Sequence, residues 1–269
     1  MLIHYGLKRT RFGTLFFLII ALYILLFLLL TSCSNEDNTN KELDILEDSG
    51  SNPAGGLYLF DYEEIDLQKT DSIGVKIGRC NLYMDIYNDL IIMGEVENAS
   101  PVNKTDLGVT IDFYNKNDEK IISETVPGIA SYLKAGSRMP FYYYLSDKEK
   151  YIDISKVKIG VNFKDYHERF KGNPVVEDER YYYIDDGDYL VIEGRLINIG
   201  TEKIRNLKLF ATFYNERGKV VFIKEGYLLR KEMIPDEEQG FTLKLLLDEY
   251  LPEFTQYRFE AFYEDEIKA

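Results

Sequence analysis

An internal repeat constrains the fold of this chain more than any other feature of its sequence. Segment 90–98, which reads LIIMGEVEN, aligns with segment 190–198, which reads LVIEGRLIN, 100 residues later. The same offset then holds for further apolar and turn residues: Leu107 and Leu207, Phe113-Tyr114-Asn115 and Phe213-Tyr214-Asn215, Phe141 and Phe241, Leu145 and Leu245, and Ile159 and Phe259. A constant offset over so many positions predicts two homologous domains of roughly one hundred residues, which is a usual size for a β-sandwich.

The apolar residues within each repeat alternate with a period of two. Leu90, Ile92 and Val96 fall on one face of a predicted strand, whereas Met93 and Glu95 fall on the other. We predict six or seven short strands per repeat, with hairpin turns at 115–118 and 215–218 and no amphipathic helix. The sequence therefore predicts an all-β protein with two tandem immunoglobulin-like antiparallel β-sandwiches.

The N-terminus is typical of a secretory signal peptide. Basic residues at Lys8, Arg9 and Arg11 precede an uninterrupted apolar run over 15–30. This run is shorter than the roughly 20 residues that a membrane-spanning helix needs. An uncleaved N-terminal anchor is the alternative interpretation.

The tetrapeptide Leu30-Thr31-Ser32-Cys33 resembles the bacterial lipobox. The resemblance implies cleavage between Ser32 and Cys33 and covalent lipid on the Cys33 thiol. Two or three acyl chains hold a protein firmly at a membrane, whereas a single chain does so only marginally. Cys33 is therefore predicted to be an anchor, and we predict no cofactor other than this lipid.

These features divide the chain into five predicted segments: a signal peptide at 1–32, a lipidated flexible tether at 33–56, a first sandwich at 57–165, a linker at 166–174 and a second sandwich at 175–269. The tether is rich in Ser, Asn, Asp, Glu and Gly. Its acidic pair Glu36-Asp37 resembles the export signals that send some Gram-negative lipoproteins to the outer face of the outer membrane. An ordinary solvated linker explains the same residues.

Both repeats resemble the FxLYD domain, an immunoglobulin-like module of exported bacterial and archaeal proteins. The motif falls on segments 111–115 and 211–215, where Ile111 and Ala211 replace the opening Phe and Asn115 and Asn215 replace the final Asp. The family's Gly-Glu-Val-x-Asn signature is present at 94–98 and degraded at 194–198. The resemblance implies a sandwich fold and an extracytoplasmic setting, without catalytic or ligand-binding residues to carry over.

The composition disfavours several kinds of chemistry. The formal net charge of -14 argues against nucleic-acid binding, which needs clustered Lys and Arg. The chain has 2 His and 2 Cys, so we predict no catalytic residues and no metal site; His167 lies in the predicted linker, and Cys80 is predicted to be a structural thiol. Segment 185–188, which reads DDGD, favours a turn over a calcium loop because it lacks the spacing of an EF-hand.

Tyrosine supplies the candidate binding residues. The chain has 22 Tyr and two runs of three. Consecutive side chains of a strand point to opposite faces, so at least one ring of each run is expected to face outward, where it offers apolar area and a hydroxyl. The predicted interaction surface comprises Tyr142, Tyr143, Tyr144, Tyr181, Tyr182 and Tyr183. The alternative is that these residues simply reflect the high β-propensity of Tyr.

Together these patterns predict a non-enzymatic bacterial lipoprotein, anchored by lipid to the extracytoplasmic side of the cell envelope. We expect the outer membrane as its location, with the tandem sandwiches exposed at the cell surface to an unidentified protein or glycan partner. A periplasmic structural spacer or assembly factor is the second interpretation. A glycan hydrolase that uses two carboxylates is the third, and it requires an acid pair about 5 to 9.5 Å apart in a cleft.

Overall fold

The computed structural model describes residues 41–42, 59–61, 64–85, 89–146, 153–247 and 251–265. The predicted signal peptide, Ser32, Cys33 and the Glu36-Asp37 pair lie outside these residues. Within the predicted tether, the described residues form a two-residue strand. The regular secondary structure of the described residues is β-strand apart from one 3₁₀ turn at Asp185–Gly187, which confirms the all-β prediction. None of them forms an apolar helix of membrane-spanning length.

The described part of the chain contains seventeen strands. The first ten are β1 (Lys41–Glu42), β2 (Leu59–Asp61), β3 (Asp66–Lys69), β4 (Val75–Asp85), β5 (Leu90–Asn98), β6 (Asn103–Tyr114), β7 (Lys120–Pro127), β8 (Tyr132–Leu133), β9 (Arg138–Leu145) and β10 (Lys156–Tyr166). The remaining seven are β11 (Pro174–Ile184), β12 (Tyr189–Asn198), β13 (Ile204–Tyr214), β14 (Val220–Glu225), β15 (Tyr227–Leu228), β16 (Glu238–Leu246) and β17 (Gln256–Asp265).

The strands form four sheets, two for each repeat, and β1 of the predicted tether is added to sheet 4. In the N-terminal repeat, strands of 59–166 form sheet 1 in the order β2-β4-β5-β9 and sheet 2 in the order β3-β10-β6-β7, with β8 beside β6. In the C-terminal repeat, strands of 174–265 form sheet 3 in the order β11-β12-β16-β15, and sheet 4 has the order β1-β17-β13-β14. The pairs are antiparallel except β3 with β10, which is parallel.

The 100-residue offset of the sequence is also the offset of the strand pairing. Gly94 of β5 pairs with Phe141 of β9, and Gly194 of β12 pairs with Phe241 of β16. A Cβ atom on Gly94 would lie 2.9 Å from Phe141 Cζ, and one on Gly194 would lie 2.8 Å from Phe241 Cζ. The repeated glycine is thus required because a phenylalanine ring packs directly over its backbone.

The period-two pattern correctly identifies the inner faces of the sheets. Leu90, Ile92 and Val96 are fully buried, as are the equivalent Leu190, Ile192 and Leu196. The outer face of sheet 1 is buried as well where β4 and β5 lie, because the C-terminal repeat packs on these two strands. Tyr83, Ile91 and Met93 join an apolar cluster with Val220 and Val221 of β14. The described residues of both repeats accordingly belong to one compact unit.

Two buried asparagines hold equivalent loops in the two repeats. Asn98 Nδ2 donates to the carbonyls of Val102 and Leu133, and Asn198 Nδ2 donates to those of Glu202 and Met233. Both side chains are completely buried. Their role explains why this asparagine recurs at the end of the aligned segments.

The predicted linker is clamped by hydrogen bonds, and its last residue, Pro174, begins β11. The backbone N–H groups of Lys171 and Gly172 donate to the Asp265 carboxylate at 2.6 and 2.9 Å, and that of Asn173 donates to Asn198 Oδ1. Phe170 packs against Tyr263, with ring centroids 5.7 Å apart. The connection between the repeats is therefore part of the packed structure.

Candidate interaction surface

The first tyrosine run lies on β9 at the edge of sheet 1. Tyr142 and Tyr144 pair with Met93 and Ile91, so they share the outer face of the sheet, and they are 59% and 44% exposed. Tyr143 points to the other face, where its ring lies 5.8 Å from that of Phe113. Two of these three predicted surface residues are therefore exposed, and the third contributes to the core.

The second run lies on β11 at the edge of sheet 3, and all three of its rings are exposed. Tyr181 and Tyr183 share one face and make an edge-to-face contact with centroids 6.4 Å apart. Tyr182 points to the opposite face and donates to Glu193 Oε2 at 3.0 Å, which raises the pKa of its hydroxyl. At a sheet edge, both faces of the strand leave room for solvent around a large side chain.

The edge of β11 is acidic at both ends of its tyrosine run. Within the described residues, β12 is the strand that pairs with β11, and the other side of β11 is the edge of sheet 3. Glu177, Asp178 and Glu179 precede the run, and segment 185–188 follows it. Tyr181–Ile184 carries no charge. An uncharged aromatic stretch of sheet edge therefore lies between two acidic groups.

The acidic segment 185–188 forms the turn between β11 and β12. The N–H of Asp188 donates to the Asp185 carbonyl, and both Asp186 and Gly187 have positive φ, at 55° and 98°. Such angles are typical of the tight turns that twist with a hairpin. Among the described residues, no group of three or more His, Cys, Asp or Glu side chains is placed to hold a metal ion.

A buried polar cluster joins the two repeats, and no pattern in the sequence predicted it. Glu95 of β5 is 1% exposed, and its Oε1 accepts from the hydroxyl of Tyr214 at 2.6 Å and from Nη2 of Arg258 at 3.0 Å. Arg79 Nε lies 3.7 Å from Glu95 Oε2, and its guanidinium stacks 4.4 Å from the centre of the Tyr214 ring. These contacts place one carboxylate of the N-terminal repeat between cationic and hydroxyl groups from both repeats.

A second carboxylate, Glu260, faces the same cation. Its Oε1 lies 3.3 Å from Arg258 Nη2 and accepts from the backbone N–H of Arg138 at 3.1 Å. Its Oε2 is buried and has no hydrogen-bond partner within the described residues. The pKa of Glu260 is raised to about 7, mainly by burial and also by the Glu95 charge, while Arg258, the Arg138 backbone N–H and the Arg138 side chain oppose the shift.

We expect the pKa of Glu260 to make the protein less stable as the pH rises. The ordinary pKa is 4.5, so between pH 4.5 and about 7 the folded protein holds a proton that the unfolded chain has lost. Stability therefore decreases through this window. Glu260→Gln keeps the acceptor for Arg138 and carries no charge, so we expect it to be more stable than the wild type by about 3 kcal/mol at pH 8 and nearly equal at pH 4.5.

Thermal unfolding of both proteins between pH 4.5 and 8 measures this effect. Glu97→Gln is the control, because Glu97 lies on β5 near the cluster and pairs with Arg138 at 3.3 Å while remaining 36% exposed. Parallel pH profiles for the wild type and Glu260→Gln would contradict the assignment.

Two other predicted residues are accounted for by their surroundings. Cys80 is buried, and desolvation raises the pKa of its thiol to about 12, which fits the predicted structural role because thiolates are the reactive form. His167 is exposed between β10 and β11.

The residues that sequence reasoning missed are Arg79, Tyr214, Arg258 and Glu260, whose partners are too distant in sequence for a local pattern to connect them.

A groove of about 610 Å³ lies between the repeats, away from the tyrosine runs. Its walls combine Leu107, Ile129 and Phe262 with polar residues. These polar groups bond to one another: Ser131 and Asn206 donate to Glu264 at 2.8 Å, and Lys208 Nζ donates to the Ile129 carbonyl at 3.0 Å. Neither Glu95 nor Glu260 lines the groove.

No protein-family model matches the chain, and no curated protein matches it. Among solved structures, the chain is similar to red sea bream transglutaminase at 9% identity and a TM-score of 0.21, over 71% of this chain and 30% of that one. It is also similar to the exo-chitosanase CsxA of Amycolatopsis orientalis at 10% identity and a TM-score of 0.26, over 70% and 26% of the two chains. The chain thus spans less than a third of either protein, and likenesses this distant carry no argument about function.

Proposed function

We propose that this chain is a lipid-anchored, extracytoplasmic protein of the bacterial cell envelope. In this proposal, its FxLYD-like tandem repeats present a non-enzymatic interaction surface to a protein or glycan. The observation that carries the proposal is the exposure of five of the six predicted tyrosines, between 40% and 59%. Exposed tyrosines give a large contact area at low entropic cost, which suits recognition.

The anchor part of the proposal rests on the lipobox-like sequence around Cys33. We expect the protein to incorporate a labelled fatty acid and to fractionate with membranes, and we expect Cys33→Ala to lose both properties. Cys80→Ala is the matched control, since Cys80 is the other cysteine of the chain. Fatty-acid labelling that persists in Cys33→Ala would overturn the anchor.

The side of the outer membrane on which the repeats lie distinguishes surface display from a periplasmic spacer role. A periplasmic spacer is favoured by the buried Glu95 cluster, which ties the two repeats into one body. Protease treatment of intact and lysed cells, followed by mass spectrometry of peptides from 59–265, distinguishes the two functions. Loss of these peptides from intact cells supports surface display, whereas protection until lysis supports the spacer and overturns surface display.

A carboxylate-based hydrolase receives no support from the buried acid pair. Glu95 and Glu260 approach one guanidinium, yet Glu95 is 1% exposed and its contacts lie within the junction of the repeats. A glycosidic bond must reach both carboxylates at once. The pair therefore fits a structural role in joining the repeats.

A further inference from the structure

We infer that the edge of β11 at Tyr181–Ile184 binds an extended basic peptide, which adds to sheet 3 as a further strand. The inference rests on the interaction surface proposed above and names the chemistry of its partner. An edge strand presents a row of backbone N–H and C=O groups that another strand can pair with, and side-chain contacts then give specificity.

The two halves of β11 differ in how well they resist such pairing. The first half contains Pro174, which has no N–H to donate, and a bulge between Glu177 and Arg180. Proline, charge and bulges are the devices that natural proteins use to block sheet edges. The second half, Tyr181–Ile184, has none of them and keeps a regular register with β12. The open half of the edge is thus also the half that carries the exposed rings.

The charge around this edge indicates the chemistry of the partner. Glu177, Asp178 and Glu179 lie at one end of the tyrosine run, and Asp185, Asp186 and Asp188 lie at the other. Arg180 is the basic residue between them, and its guanidinium pairs with Glu193. Arg195 pairs with Asp178 and Lys244 lies 3.6 Å from Asp185, so the six carboxylates at the two ends still outnumber the cations that contact them. A strand with Lys or Arg near its ends and apolar residues between them complements this pattern.

The same charges disfavour a second copy of the chain as the occupant. Antiparallel pairing of two β11 edges centred on Tyr182 would place Glu179 opposite Asp185 and Asp178 opposite Asp186. Like charges directly opposite each other destabilise paired strands. A basic segment from a different protein avoids this repulsion.

The edge of β9 provides an internal comparison. It also carries exposed tyrosines, but the backbone N–H of Arg138 at its start already donates to Glu260 Oε1 at 3.1 Å. Substitutions at Tyr142 and Tyr144 therefore serve as a matched control, because they remove equivalent exposed rings from a different edge.

The test uses the full-length protein in detergent and a fluorescent ten-residue peptide with Lys at both ends and Val between them, with binding followed by anisotropy. We expect the peptide to bind, and a version N-methylated at alternate residues to bind about tenfold more weakly, because methylation removes backbone donors and leaves the charge unchanged. We expect Tyr181→Ser with Tyr183→Ser to weaken binding by a similar factor and Tyr142→Ser with Tyr144→Ser to leave it unchanged.

Several results would overturn the inference: no binding, equal binding of the methylated peptide, or loss of binding through the β9 substitutions instead of the β11 substitutions. A dimer in sedimentation that the β11 substitutions dissociate would assign the edge to a second copy and would also overturn it. Each of these results is independent of fatty-acid labelling at Cys33, so failure of the peptide site and failure of the lipid anchor are distinguishable.

Discussion

Replacing Glu95 with alanine is expected to destabilise the protein by about 3 kcal/mol, because it leaves Tyr214 and Arg258 of the C-terminal repeat without their acceptor in the N-terminal repeat. Tyr214 is fully buried and donates its hydroxyl to Glu95. Arg258 is 22% exposed and has Glu95 as its closer carboxylate. Removal of one member of a buried ion pair costs more than the pair contributes, since the remaining charge stays desolvated.

Equilibrium urea unfolding, followed by tyrosine fluorescence, measures this cost. Glu97→Ala is the matched control: Glu97 is two residues along β5 and pairs with Arg138, but both side chains are partly exposed. Pairs of this kind contribute about 0.2 to 1 kcal/mol. Equal costs for the two substitutions would show that the Glu95 cluster does not hold the repeats together.

Gly172→Ala is expected to cost about 2 to 3 kcal/mol, because the added methyl group has no space in the connection between the repeats. A Cβ atom there would lie 2.1 Å from Ile204 Cγ2 and 2.8 Å from Asp265 Oδ1. Relief of this overlap would displace the backbone whose N–H donates to Asp265.

Gly160→Ala is the control for the backbone effect of the same substitution. Gly160 lies in β10, and a Cβ atom there would meet nothing within 4 Å. An alanine in a strand is favoured over glycine by about 0.5 kcal/mol, so Gly160→Ala is expected to be neutral or slightly stabilising. A neutral result for Gly172→Ala in urea unfolding would mean that the connection is not packed as described.

The sequence was sufficient to predict which residues face the interior of each sheet. Alternation identifies the two faces of a strand, and the 100-residue offset supplied the same assignment twice, so Leu90 and Leu190 are both correctly placed. It could not predict what covers the outer face. Ile91 and Glu95 are buried only because β14 and β17 pack there, and Tyr214 and Arg258 are 119 and 163 residues away from Glu95.

The tyrosine runs show the same limit. Alternation predicts that consecutive rings point to opposite faces, and Tyr143 of β9 does pack into the core while Tyr142 and Tyr144 are exposed. It cannot predict that all three rings of β11 are exposed, because that depends on the position of β11 at the edge of sheet 3. Edge position is a property of the sheet order, which a single strand does not encode.

The bulges of β4 and β11 lie at equivalent positions of the two repeats, and each bulge places a charged pair there. The residue on the bulge is basic in the first repeat and acidic in the second. Arg79 faces Glu95 in sheet 1, and Asp178 faces Arg195 in sheet 3 at 2.5 Å. When the second of two similar repeats packs on the outer face of the first, the outer face of the second resembles the face that is covered. The second repeat of another molecule could then pack there, and this would lead to head-to-tail polymerisation. In this chain, Arg258 contacts Glu95 on sheet 1. The Arg258 of another molecule that packed on sheet 3 would instead meet Arg195, and Glu193 stands there where sheet 1 has the apolar Met93. We therefore expect the sign reversal to disfavour docking of the second repeat of another molecule on this face, so that the contact between the repeats stays within one chain.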